Sequence, residues 1–200
     1  MVRTLNGMRN VWDPEGLYRN YSFERQPQNF PDVILRRHAQ TEREDYVILG
    51  IELKGWYLLA KEGVPTFRFV TTPAACAPAD LIAVVPWVLS NVTSGTPTVF
   101  EPYVELAAYA AQFKNYWWQE VRETNEPREI TLPPNARPYP GKADLVADNP
   151  VSDRGRNFGR LARTGILDDY IGKALERDIR GIEARHWLAF FKRYGAQSVT

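Results

Sequence analysis

Cys76 is the only cysteine in the 200-residue chain, and His38 and His186 are the only histidines. An intramolecular disulfide is therefore impossible, and multi-cysteine zinc or iron–sulfur sites are excluded; a single thiol fits a reducing, cytoplasmic setting. Two isolated histidines, with no hydrolase motif beside them, support neither a metal site nor a triad. Charge of one sign is also missing, since 25 Lys+Arg meet 24 Asp+Glu for a net charge of +1. The whole chain therefore carries no polyanion or membrane-surface signal, and any such site must come from local clustering. No stretch of about 18 apolar residues occurs, and the opening "MVRTLNGMRNVWDPEG" has no continuous apolar segment, so no membrane span or signal sequence is expected. Neither GxxxxGK[ST] nor GxGxxG is present, which leaves nucleotide-driven chemistry without support. Internal repeats and low-complexity tracts are absent too.

What is present is core-forming material. A hydrophobic content of 44% with 12% aromatics predicts a single α/β domain spanning residues 1–200. Four β-branched runs, "PDVILRR", "YVILGIELKGWYLLA", "PTFRFVTT" and "DLIAVVPWVL", read as strands. The second and fourth contain nearly continuous apolar stretches, as expected of central strands covered on both faces. Between the third and fourth runs, "TPAACAPAD" leaves room for at most about two helical turns. Alanines and aromatics at helical spacing predict a helix from about Glu101 to Arg122 that covers the sheet, with Pro102 in its first turn. On that helix Tyr116, Trp117 and Trp118 read as core aromatics. Core 24–122 is followed by a Pro-rich crossing segment, 123–149, and then by a Gly/Arg loop and a long helix within 150–200. That last helix is expected to run from an Asp168 N-cap to a Gly195 stop.

The chemistry lies where the strand pattern breaks. Asp32 opens one predicted strand, and Glu52 and Lys54 interrupt the next. Carboxylates at corresponding ends of adjacent strands can converge within metal-ligand reach, and residues i and i+2 share a face, so Lys54 stands beside Glu52. Such a set suits a hard divalent cation with an ammonium next to it, as phosphodiester hydrolysis requires: Mg²⁺ takes a few carboxylates and keeps positions open for water and phosphate oxygens. Neither element is informative alone. With 24 acidic residues and 6 lysines in 200 positions, roughly 0.7 acid-x-Lys triplets arise by chance, and one is found. Order, spacing and placement after "VILGI" carry the reading. The bland alternative is an exposed Glu–Lys pair on an edge strand, but "VILGIELKGWYLL" reads as a central strand, where charge is costly unless it reaches a cleft.

In these residues the sequence resembles the PD-(D/E)xK nuclease superfamily, in particular type II restriction endonucleases: Pro31-Asp32 matches "PD" and Glu52-Leu53-Lys54 matches "ExK". The resemblance covers about Glu24 to Leu89. It implies a restriction-endonuclease-like three-layer core, a mixed central β-sheet flanked by helices. It implies Asp32 and Glu52 as metal ligands with the Leu53 carbonyl completing the set, Lys54 as the catalytic lysine, and Glu24 as a possible additional acid. The implied reaction is Mg²⁺-dependent hydrolysis of DNA, with Mn²⁺ as a possible substitute, leaving 5′-phosphate and 3′-hydroxyl ends.

A nuclease of near-zero net charge needs a local DNA-binding surface. "SDRGRNFGRLARTG" offers Arg154, Arg156, Asn157, Arg160 and Arg163 on a glycine-punctuated loop suited to phosphate and base-edge contacts, although acidic neighbours such as Asp153 and Asp168 can pair with the same arginines. Double-stranded DNA is the expected partner and a homodimer the expected assembly for cutting both strands, with the alanine and aromatic face of the Glu101 helix as its interface. The alternatives are a repair, junction-resolving or RNA-cutting nuclease of the same fold, or a non-catalytic DNA-binding or scaffold module.

Overall fold

The computed structural model describes residues 1–27, 29–38, 46–122, 150, 153 and 156–195. The crossing segment 123–149 and Arg154 lie outside the described residues. Two short helices, α1 (Val2–Gly7) and α2 (Arg9–Trp12), precede an α/β body with a six-stranded mixed sheet. Strands β1 (Tyr21–Arg25), β2 (Val33–Arg37) and β3 (Val47–Tyr57) form an antiparallel meander. β3 then pairs in parallel with β4 (Leu81–Leu89). β5 (Pro97–Val99) and β6 (Tyr103–Leu106) share the far side of β4, each antiparallel to it.

The period-2 rule sorts the sheet into two faces. Leu49, Ile51 and Leu53 join Phe23, Val33 and Leu35 in a small core closed by Val2, Leu5 and Trp12 of the N-terminal helices. Trp56, Ile82 and Val84 belong to the larger core on the opposite face. There α3 (Ala107–Tyr116) presents fully buried Ala107, Ala110 and Ala111. Alanines let the helix approach the sheet closely, and each side chain removed from water adds to stability roughly in proportion to its apolar area. Gly50, Glu52 and Lys54 lie on this same face.

Five expectations need correction. "PTFRFVTT" forms no strand: it runs in extended coil against the 156–160 loop, where the Phe69 amide donates to the Gly159 carbonyl (2.7 Å) and Arg68 Nε to the Phe158 carbonyl (2.9 Å). The connection that follows it holds only a 3-10 turn, Pro73–Ala75. The Glu101 helix begins six residues later, because Tyr103–Leu106 is β6: with Phe100 and Pro102 flanking it, this stretch takes up free hydrogen-bonding positions on β4 instead. Beyond Tyr116 the helix continues as a π-helical turn, Trp117–Val121, which seats buried Trp118 edge-on to Phe158 (5.4 Å). The C-terminal helix is two, α4 (Asp168–Leu175) and α5 (Ala184–Gly195), separated by a two-stranded hairpin of β7 (Asp178–Ile179) and β8 (Ile182–Glu183). Arg180 and Gly181 both have positive φ (60° and 82°), the left-handed pair that a tight hairpin turn demands. Asp168 is the first helical residue, not the N-cap; Leu167 occupies that position, and Asp168 and Asp169 instead supply negative charge to the first turn. The alanine face offered as a dimer interface is spent inside the core. Among the described residues no helix is long and apolar enough to cross a membrane.

Candidate active site

β2 and β3 pair as far as Val33 and Ile51, and one further antiparallel step puts Asp32 across from Glu52. There the two strands part: β3 continues to Tyr57 with β4 alone, so Glu52 and Lys54 stand at a newly opened strand edge. The next ladder position on the β2 side is Pro31, which has no amide hydrogen to give. Asp32 fills the gap with its side chain, and its Oδ2 accepts the Leu53 amide hydrogen at 2.8 Å. A hydrogen bond of this kind fixes the carboxylate rotamer and satisfies a backbone donor where the ladder ends.

Lys54 Nζ lies 2.5 Å from Glu52 Oε1, as the i, i+2 geometry of one face requires. The side chains are 23% and 12% exposed, so the pair is only partly shielded from solvent. Burial pushes the Glu52 carboxyl above the ordinary carboxylate range; the bonded Lys54 ammonium opposes this, the Asp32 charge adds to it, and a hydrogen bond from the Asp32 backbone opposes it again. The result is two carboxylates and one ammonium on a face that is mostly apolar.

Gly50 keeps the approach open. A Cβ there would lie 2.4 Å from Pro31 Cγ and 2.6 Å from Asp80 Oδ1. Asp80 is fully buried and accepts the Ala77 amide hydrogen at 2.7 Å, while its own carbonyl receives the amide of Ala107 at the start of α3 (2.8 Å). Nearby Lys114, also fully buried, donates to the Thr71 carbonyl at 2.9 Å and lies 4.5 Å from the Phe158 ring centroid. The Cys76 thiol is pushed up to about 12 by burial first, and it feels Asp80, Lys114 and Glu52.

Comparison with protein-family models, curated proteins and solved structures gives no match. The site must be judged on its own geometry.

Four of the expected residues are brought together: Asp32, Glu52, Leu53 and Lys54. For Leu53, the group in contact with Asp32 is the amide rather than the carbonyl. Glu24 is not on a helix. It sits on β1 opposite Ile34, and its carboxylate is held by Arg36 (3.7 Å) and His38 (3.2 Å). The helices α1 and α2 carry no acidic residue. No group of three His, Cys, Asp or Glu is gathered for a metal among the described residues. The donors on hand are two hard carboxylates.

The Gly/Arg loop is anchored from within. Asp153 Oδ1 accepts the amides of Asn157 (2.7 Å) and Phe158 (2.9 Å), and its Oδ2 pairs with Arg68 at 3.0 Å. Arg156 and Arg163 are exposed, and Arg160 Nε is buried with no hydrogen-bond partner among the described residues.

Sequence reasoning missed Asp80 and Lys114. Their signals were nonetheless available. Asp80 precedes "LIAVV" as Asp32 precedes "VIL", and Lys114 stands three residues after Ala111 on the alanine stripe.

Proposed function

We propose that the chain is a metal-dependent endonuclease that hydrolyses DNA phosphodiester bonds at Asp32, Glu52 and Lys54. The observation that carries this reading is the Lys54–Glu52 contact at 2.5 Å, placed across from Asp32 where β2 and β3 part. A core-facing strand has no structural need for that triad, and charge at such a position is costly unless it serves a cleft.

The residues fit a hard cation. Two carboxylates and a nearby carbonyl suit Mg²⁺, or Mn²⁺ in its place, which needs few protein ligands and retains water. Asp32 and Glu52 would hold it with the Leu53 carbonyl; when bound, it supplies Lewis-acid polarisation of the phosphate and acidifies a coordinated water. Asp32 is oriented for this by the Leu53 amide, and the Lys54 ammonium opposes the burial that favours the proton on Glu52. Lys54 is positioned to donate a hydrogen bond to a phosphate oxygen or to the attacking water, stabilising negative charge as it builds on phosphorus. In-line attack of water breaks the bond to the 3′ oxygen and leaves a 5′-phosphate and a 3′-hydroxyl. Arg156, Asn157, Arg160 and Arg163 serve as phosphate contacts from the anchored loop, and a homodimer supplies two sites for the two strands of double-stranded DNA.

The test is incubation of the purified chain with plasmid DNA in Mg²⁺ or EDTA, alongside Asp32→Ala and Lys54→Ala variants. Cleavage that needs Mg²⁺ and disappears in both folded variants supports the assignment. Unchanged cleavage by the variants sinks it, and parallel single-stranded, branched and RNA substrates separate a restriction-type enzyme from a repair or RNA-cutting one.

A further inference from the structure

A cleft of about 290 Å³ opens between the β5–β6 turn and α4, away from Asp32, Glu52 and Lys54. Phe100, Tyr103 and Tyr170 line it with Lys173, Arg177 and Glu101. Its volume is at the low end for ligand sites, which limits it to one small molecule. The aromatic walls are fixed. The Tyr103 and Tyr170 ring centroids are 5.4 Å apart, and the Tyr170 hydroxyl donates to the Glu101 carbonyl at 2.8 Å. With the Tyr170 hydroxyl engaged, ring surface is what the tyrosine pair offers a ligand, at little cost in side-chain freedom.

Two cations stand four residues apart at the C-terminal end of α4. Lys173 makes no ion pair among the described residues. Among the described residues Arg177 pairs only with the Glu101 carboxylate, at 3.5 Å, with both side chains exposed, so the pair is weak and easily exchanged for a stronger anion. Guanidinium binds phosphate in a two-pronged fashion that a lone carboxylate contact at this distance does not match. Once displaced, Glu101 is an acceptor at the rim.

We propose that this cleft is a nucleotide pocket: the base lies against Phe100, Tyr103 and Tyr170, the phosphate sits on Lys173 and Arg177, and Glu101 accepts a hydrogen bond from an exocyclic amine. A phosphotyrosine also pairs a ring with a phosphate, but its ring carries no donor for Glu101. Tyr103 pairs with Val84, which pairs with Lys54, so the pocket is two strands removed from the hydrolytic residues and is a separate site on the same sheet. The inference stands whether or not the chain cuts DNA.

Calorimetric titration in EDTA keeps binding apart from any cleavage. The ligands are 5′-AMP, adenosine, inorganic phosphate, phenyl phosphate and a short 5′-phosphorylated oligodeoxyadenylate. One 5′-AMP or one oligonucleotide should bind per chain, with adenosine at least about tenfold weaker, and Lys173→Ala and Arg177→Ala should each weaken binding by about tenfold. Both positions are exposed, so folding should be retained. Tighter binding of 5′-AMP identifies a free nucleotide as the ligand, and tighter binding of the oligonucleotide identifies a strand. The proposal is overturned if neither binds, if the double variant binds as the parent does, or if inorganic phosphate or phenyl phosphate binds as tightly as 5′-AMP.

Discussion

Lys54 and Lys114 both lie on the side of the sheet that carries the larger core, and they show what solvent access does to a buried cation. Lys54 ends 2.5 Å from Glu52 with about a quarter of its side chain in water. Lys114 is sealed, its ammonium bonded to the Thr71 carbonyl and stacked over Phe158. In a low-dielectric setting each needs partners, but only the first retains a direction from which substrate can arrive. Charge at the strand edge is therefore available for chemistry, whereas charge under α3 is committed to holding the helix, the β3–β4 connection and the 156–160 loop together.

The largest expected effect separates the two lysines outright. On the nuclease reading, Lys54→Ala lowers cleavage by roughly 10²–10⁴-fold, the usual worth of a group acting directly on the reacting atoms, with little change in the unfolding midpoint. Lys114→Met does the reverse: about 3 kcal/mol of stability is lost because its buried partners are stranded, while cleavage per folded molecule is retained. Denaturant titration and plasmid cleavage on the same preparations decide it. A folded Lys114→Met protein that does not cut would erase the distinction.

Gly50 joins the two regions, since its missing side chain lets Pro31 and Asp80 meet across β3. Gly50→Ala must push one of them aside, at a cost of about 1–3 kcal/mol as for other overpacked cores. Displacement toward Pro31 would also move Asp32 and lower cleavage. Loss of stability with cleavage intact would mean that the Asp80 side yields instead.

The strand-edge region was the legible one. β2, β3 and β4 are written in β-branched runs, and Asp32, Glu52 and Lys54 break that pattern where the strands part. Less could be seen of what covers the sheet. "YVEL" and "PTFRFV" both carry β-branched and aromatic residues, yet only the first finds an open edge on β4, because pairing depends on a partner as well as on local preference. Continuous 3.6-residue spacing from Asp168 to Phe190 concealed the Arg180–Gly181 turn, whose Gly181 was the one local sign of a break. Lys114 drew no reading from the sequence, because its burial follows only once α3 is placed with its alanines inward, and Glu24, the possible additional acid, is a strand residue held by Arg36 and His38.

A smaller effect tests the cost of the open site. The Glu52 carboxyl is raised in the folded chain, so its contribution to stability is complete below the unfolded carboxyl pKa and is lost as pH rises through the folded value. Glu52→Gln removes that loss. Its expected outcome is an unfolding free energy higher than the parent's at neutral pH, a flatter pH dependence across the acid range, and no cleavage. A variant less stable than the parent would mean that the Lys54 contact outweighs desolvation.

The sealed region makes the corresponding prediction at the alkaline end, and its effect is the smallest. The Cys76 thiol is raised to about 12 from an ordinary value of 9.0, by burial first and then by the Asp80 carboxylate, with Lys114 opposing. A raised folded value means that the folded chain keeps its proton after the unfolded chain has released one. Stability linked to Cys76 is therefore complete below about pH 9 and declines from there toward pH 12. In Cys76→Ala that part of the alkaline decline should vanish, leaving a shallower fall in the denaturant midpoint over the same range, after allowance for the constant cost of the smaller side chain. In the parent at pH 8 the thiol should react with iodoacetamide only on global unfolding, because alkylation needs an exposed thiolate. Rapid alkylation of the folded chain would mean that the chamber under α3 opens on its own, and Lys114 would then be no more sealed than Lys54.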